Sequence, residues 1–121
     1  MSGTAPAGWP TGGVHRVLGP LDPITAELTR RGWHVVVVPG ATTDAGLWDG
    51  VVAALGLPGW FGRNLDALDE ALGDLVAPTA VVLAAWTRYA TARPERWERL
   101  LGVLREWAGH DGTPLVVLLV D

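Results

Sequence analysis

Three runs of apolar, largely β-branched residues are the strongest pattern in the chain. They read WHVVVV (33–38), TAVVLAAW (79–86) and LVVLLV (115–120). Continuous apolar runs of this length are typical of strands that are buried on both faces of a sheet. Because segments with helical periodicity separate the runs, we predict a parallel sheet with right-handed crossovers. The expected fold is therefore α/β, with a small three-stranded parallel sheet packed with helices.

The predicted helices carry recognisable start and stop signals. Asp22 is the predicted N-cap of the first helix, which begins at Pro23 and ends at Gly32. A short extended piece, VHRVLG, precedes it. The remaining helices are expected within 42–57, where Gly56 ends the helix, over 65–76, and from 94 to about 108.

The length and composition of the chain are those of one folded domain. With 121 residues and a hydrophobic content of 49%, the chain is long enough to bury a core. We assign residues 14–121 to this domain and expect residues 1–13 to form a flexible tail. The longest apolar run is too short to cross a bilayer, and the N-terminus shows no secretion signal. Because the chain also lacks cysteine, which suits a reducing compartment, we predict a cytoplasmic protein with no membrane partner.

The inventory of reactive side chains argues against an enzyme. The chain has no lysine, and its single serine is Ser2 in the predicted tail, so a P-loop lysine or a serine triad on the domain is excluded. Its three histidines are isolated and show no metal-ligand spacing, so we expect neither metal nor cofactor. One alternative stays open: Asp66 and Glu70, four residues apart on a predicted helix, are compatible with acid/base work in a small enzyme.

Acidic residues are concentrated in one part of the chain. The formal net charge is −4, and the stretch from Asp44 to Asp74 holds six acids against one base, Arg63. An acidic surface repels nucleic acid and attracts basic partners. We therefore predict no direct binding of nucleic acid.

Two adjacent aromatic residues, Trp60 and Phe61, stand at a turn immediately before the helix predicted over 65–76. On a helical wheel the leucines of that helix form one stripe, and Asp66, Glu70 and Asp74 lie on the opposite side. The acidic face is compatible with an ordinary solvent-exposed helix surface. The two aromatic residues are compatible with a loop that covers the core. Indole beside clustered acid is also the composition of an interface that faces a basic partner.

The segment LGLPGWFGRNLDALDEALGDLVAP, residues 55–78, resembles the signature segment of the barstar family of barnase inhibitors. The shared pattern is Leu-Pro-x-aromatic-aromatic-Gly-x-Asn-Leu-Asp-Ala-Leu, followed by Ala-Leu one turn later. A weaker likeness continues through VVLAAW and VLREW to the last strand, so the resemblance covers about 34–121. It implies the barstar fold and a helix and preceding loop that plug the active site of a ribonuclease.

The resemblance also implies a set of binding residues. Glu70 stands where the family has its central Asp, which takes the place of the RNA phosphate among the catalytic His and Arg groups of the nuclease. The chain departs from the family in three places: Glu70 is one methylene longer, Asp69 stands where barstar has a Trp, and Leu75 replaces another aromatic. The predicted ribonuclease-binding residues are Trp60, Gly62, Asn64, Asp66, Asp69, Glu70 and Glu106.

These observations predict a cytoplasmic inhibitor of a small, basic, extracellular-type ribonuclease, bound one to one. Two alternatives remain: an immunity or antitoxin module for a different basic toxin, and the acid/base enzyme.

Overall fold

A computed structural model describes residues 12–109 and 115–121. Strands and helices alternate along most of this part of the chain, as the apolar pattern predicts. In chain order the elements are β1 (Gly13–Val17), α1 (Leu21–Arg30), β2 (His34–Val38), α2 (Asp44–Leu55), α3 (Leu65–Gly73), β3 (Thr79–Ala84), α4 (Thr87–Ala92), α5 (Pro94–Ala108) and β4 (Leu115–Val120).

The strands form one parallel sheet in the order β1-β4-β3-β2. The fold is α/β as predicted, but the sheet has four strands, so the expectation of three was wrong. The additional strand is β1, which pairs with β4 from Gly13 opposite Val116 to Val17 opposite Val120. With exposed His15 and Arg16 at its centre, β1 has no apolar run of its own, and its strand conformation depends on pairing with the buried edge of β4.

The position of β2 also differs from the prediction of a strand buried on both faces. It is an edge strand, and its burial alternates: Val36 and Val38 are buried, whereas Val35 and Val37 are half-buried. The most buried strands are the central ones: every residue of β4 is buried, and every residue of β3 except Ala84. A run of valines is therefore compatible with an edge position, because helices cover both faces of the sheet even at its rim.

Helices pack on both faces of the sheet and form two apolar clusters. The smaller cluster places α1, through Leu28, against Val82, Val116 and other residues of one face. The larger cluster joins the opposite face to α2, α3, α4 and α5. The acidic helix α3 belongs to the larger layer and packs against α5.

The helices begin and end close to the predicted residues. α1 begins at Leu21, with Pro20 as its N-cap instead of Asp22. α3 ends at Gly73, three residues before the predicted end, so Leu75 and Val76 lie beyond it. Residues 1–11 of the predicted tail, 1–13, lie outside the described residues. Within the described part, Gly13 is the first residue of β1. Of the helices that the structure describes, none has both the length and the apolar character that a bilayer crossing requires.

Candidate partner-binding site

The candidate site is built on the connection between α2 and α3. Thr43 caps the start of α2 by accepting a hydrogen bond from the Gly46 amide at 3.1 Å. Gly56 ends the same helix in the left-handed conformation, with φ of 63°, which glycine adopts without steric cost. The chain then turns through Leu57–Arg63 and enters α3.

The two adjacent aromatics of this loop have opposite environments. Phe61 is buried, and its ring lies 6.1 Å from that of Trp48 on α2. Trp60 keeps 86% of its surface exposed. Phe61 therefore anchors the loop to the core, whereas Trp60 presents its indole to the surroundings.

The entry into α3 is held by Asn64. Its side-chain Oδ1 accepts a hydrogen bond from the Ala67 amide at 2.8 Å, and its Nδ2 donates to the Gly62 carbonyl at 3.0 Å. A Cβ at Gly62 would lie 3.0 Å from that Nδ2 and 3.4 Å from the Ala67 Cβ. The loop and the helix therefore meet as one closely packed junction, in which Asn64 caps the helix and the absence of a side chain at Gly62 permits the approach.

Arg63 occupies an unusual backbone conformation between these two residues. Its φ is 52°, a left-handed value that is uncommon outside glycine. Its Nη1 lies 2.6 Å from Oδ1 of Asp49 on α2. The ion pair ties the loop back to α2 and neutralises one of the six acids of the acidic stretch.

A second acid of that stretch is also engaged within the molecule. Asp44 pairs with Arg96 at 2.9 Å and accepts a hydrogen bond from the Tyr89 hydroxyl at 2.5 Å. Burial, followed by this bond and the charge of Asp44, raises the pKa of Tyr89 to about 12. The sequence offers no local signal for this network, because its members come from α2, α4 and α5.

The remaining acids form a separate group on and after α3. Asp66, Glu70 and Asp74 are exposed, and none of the ion pairs among residues 12–109 and 115–121 involves them. Asp66 lies in the first turn of α3, where the helix dipole favours an anion. The buried side of the same helix carries Leu68 and Leu72. The structure thus leaves an acidic face that arginines of its own described residues do not neutralise.

Trp60, Gly62 and Glu70 come together in one groove. The groove has a volume of about 310 Å³ and lies between the α2–α3 loop and α3. Asp74 and several apolar residues that were not predicted as site residues also line it. The sequence does indicate that Asp74 lies on the same helix face as Asp66 and Glu70, because the three acids are spaced by four residues. The main side chains of the groove are Leu57, Pro58, Trp60, Glu70, Asp74 and Leu75.

Four predicted site residues do not line this groove: Asn64 and Asp66 at the start of α3, described above, and Asp69 and Glu106. Asp69 is half-buried, and its Oδ1 accepts a hydrogen bond from Nε1 of Trp107 on α5 at 2.5 Å. Glu106, the residue before Trp107, is exposed on α5. Asp69 therefore joins α3 to α5, and Glu106 adds an accessible carboxylate on the second of these helices.

The described residues contain no group of three or more acidic or histidine side chains placed to hold a metal ion. Of the three histidines, His15 and His34 are exposed in these ranges, and His110 lies outside them.

One family model matches the chain, and its description reads Barstar (barnase inhibitor). The match covers residues 33–120, most of the sequence. The chain belongs to the barstar family. The parallel sheet packed with five helices over the described residues is this family's α/β fold, and β1 precedes the matched range. A search of curated proteins found no match.

Membership of the barstar family gives the site a functional context. Barstar-family proteins are inhibitors of barnase-type ribonucleases and not enzymes. The α2–α3 loop and α3 lie wholly within the matched range. An exposed acidic helix face beside an exposed indole is compatible with a surface that binds a cationic protein.

Proposed function

We propose that this protein inhibits a small basic ribonuclease by inserting α3 and the Trp60 loop into its active site. Glu70 takes the position of the RNA phosphate among the cationic groups of the nuclease. Asp66 supplies a second carboxylate on the same helix, and Trp60 packs on the enzyme surface beside the cleft. Glu106 extends the acidic surface along α5.

The observation that carries this proposal is the combination of unpaired charge and rigid support. Asp66 and Glu70 have no ion-pair partner among the described residues, whereas Asp44 and Asp49 of the same acidic stretch do. The Asn64 cap and the bond from Trp107 to Asp69 hold α3 in place. A carboxylate on such a pre-organised helix loses little conformational entropy on binding, and so it can replace a phosphate efficiently.

The proposal includes a stoichiometry and a location. One acidic face is described on the chain, so we expect one nuclease per inhibitor. The absence of cysteine from the sequence suits the cytoplasm of the cell that makes the nuclease. There the inhibitor would protect the cell's own RNA.

Inhibition of barnase tests the proposal, with calorimetry for stoichiometry. We expect tight one-to-one binding whose association slows as salt is raised, because screening weakens the attraction between the acidic face and a basic enzyme. The double variant Asp66→Ala, Glu70→Ala should lose inhibition and keep the circular dichroism of the wild type. The matched control Asp22→Ala, Glu98→Ala removes two exposed carboxylates from other helices and should still inhibit. Equal inhibition by the two double variants would refute the proposal.

A second candidate function is an immunity protein for a different basic toxin. It is favoured by Asp69, which stands where barstar has a Trp and is turned toward Trp107 instead of extending the binding surface. In this case a toxin without ribonuclease activity would bind the same acidic face. Loss of that binding in the Asp66→Ala, Glu70→Ala variant, with no effect of the wild type on barnase, would favour this function over the first.

A further inference from the structure

Glu70 and Asp74 form an anionic pair at the groove whose placement is unfavourable in the unbound protein. The two residues are four apart, so their side chains lie on the same side of the helix with like charges. Asp74 is also the C-cap of α3, where the helix dipole disfavours a carboxylate, and the last turn of α3 has no basic residue. Neither residue takes part in an ion pair with the described part of the chain.

A cation bound between these carboxylates would reduce both the repulsion between Glu70 and Asp74 and the unfavourable interaction of Asp74 with the helix dipole. It would separate the two negative charges and also face the carbonyl end of α3. The pair is therefore complementary to a single positive group supplied from outside.

The rest of the groove indicates what kind of cation fits. Its walls are apolar and aromatic, with Leu57, Pro58 and Trp60 from the loop and Leu75 from the segment after α3. A calcium or magnesium ion prefers six or more oxygen ligands, which these walls do not supply. A guanidinium group suits them better than an ammonium group, because it is less strongly hydrated, stacks on aromatic rings and pairs with carboxylates through a planar fork.

We propose that the groove receives an arginine side chain of the partner, with its guanidinium between Glu70 and Asp74 and its methylene stem along the apolar walls. The groove volume of about 310 Å³ lies at the lower end of the range for small-ligand sites, which suits one long side chain. The inference rests on the proposed function, since the arginine belongs to the protein that binds α3. It adds Asp74 as a residue that determines which partners fit.

The experiment uses acetyl-arginine amide as a probe, with the full chain and nuclear magnetic resonance as the readout. Acetyl-citrulline amide is the matched control ligand, because it has nearly the same shape and no charge. The amides of Gly62 and Ala71 and the indole of Trp60 report on the groove. We expect saturable shifts of these signals and about tenfold tighter binding of the arginine probe than of the citrulline probe.

Two conservative variants test the role of Asp74. Asp74→Asn should weaken binding of the arginine probe about fivefold, because it removes one of the two charges without changing the size of the side chain. Asp22→Asn, an equally conservative change of an exposed acid on α1, should leave binding unchanged.

The outcomes separate this inference from the proposed function. Equal affinity for the arginine and citrulline probes, absence of saturable shifts, or equal binding by Asp74→Asn and wild type would each overturn the arginine groove, even if barnase is inhibited. Conversely, selective binding of arginine that depends on Asp74 supports the groove, even if the wild-type chain fails to inhibit barnase and the proposed function is rejected.

Discussion

The indole Nε1 of Trp107 donates a hydrogen bond to the carboxylate of Asp69 over 2.5 Å, and this bond links α5 to the acidic helix α3. Gly73 packs against the same indole, since a Cβ at this position would lie 3.2 Å from the Trp107 ring. Trp107 therefore contacts α3 near both its middle and its end. The acidic face is held at a defined position relative to α5, on which Glu106 lies.

We predict that Asp69→Ala lowers the free energy of unfolding by about 1–3 kcal/mol, because a charge-assisted and partly buried hydrogen bond is lost. Asp69→Asn keeps an acceptor oxygen and should cost less. Urea unfolding measures both. A double-mutant cycle with Trp107→Phe should give a coupling energy of at least about 0.5 kcal/mol, and strict additivity would show that the bond contributes nothing.

The adjacent aromatics predict opposite effects of the same substitution. Phe61→Ala removes a buried ring that packs against Trp48 and should lower the free energy of unfolding by about 3–5 kcal/mol. Trp60→Ala removes a ring that is 86% exposed and should change it by less than about 0.5 kcal/mol. The same Trp60 variant should weaken binding to the nuclease. A large loss of stability in Trp60→Ala would contradict the separation of anchor and binding residue.

The cap of α3 provides a third prediction. Asn64→Ala should destabilise the protein by about 1–2 kcal/mol, because the Ala67 amide loses its acceptor and the Gly62 carbonyl loses its donor. Asn64→Asp restores the acceptor alone and should recover part of the loss. We expect binding to weaken in parallel, since the loop and helix would no longer be held together. Unchanged unfolding of Asn64→Ala would show that the cap is dispensable.

The raised pKa of Tyr89 leads us to predict a loss of stability at high pH. Its side chain is largely buried, its hydroxyl donates a hydrogen bond to Asp44, and its pKa rises from 10.0 to about 12. Because the folded state retains the proton more firmly, this contribution is complete below pH 10 and is lost as the pH rises through about 12. We expect the free energy of unfolding to fall by about 1–3 kcal/mol across this interval.

The composition of the chain makes this titration easy to observe. Tyr89 is its single tyrosine, and the sequence has no lysine and no cysteine, so no other side chain has an ordinary pKa between 10 and 12. The ultraviolet absorbance of the phenolate reports the pKa directly. Tyr89→Phe should flatten the stability profile above pH 10, and an identical decline in the variant would exclude Tyr89 as its cause.

Much of the architecture follows from local patterns of residues. The apolar runs predict β2, β3 and β4, and helical periodicity together with the stop signal at Gly56 predicts α2, α3 and α5 to within a few residues. The segment 55–78 carries both the family resemblance and the main elements of the site. These features are predictable because the periodicity of apolar side chains in a helix or strand, and the hydrogen bonds of a helix, involve residues that are near one another in sequence.

The remaining features arise from contacts between distant segments. β1 is a strand because β4 offers it an edge, and Phe61 rather than Trp60 is buried because Trp48 lies beneath it. The pattern of acids along the chain does not distinguish Asp49, which Arg63 neutralises, from Glu70, which remains unpaired. Charge pairing and burial depend on which surfaces the packed helices bring together, and that information is absent from any single stretch of sequence.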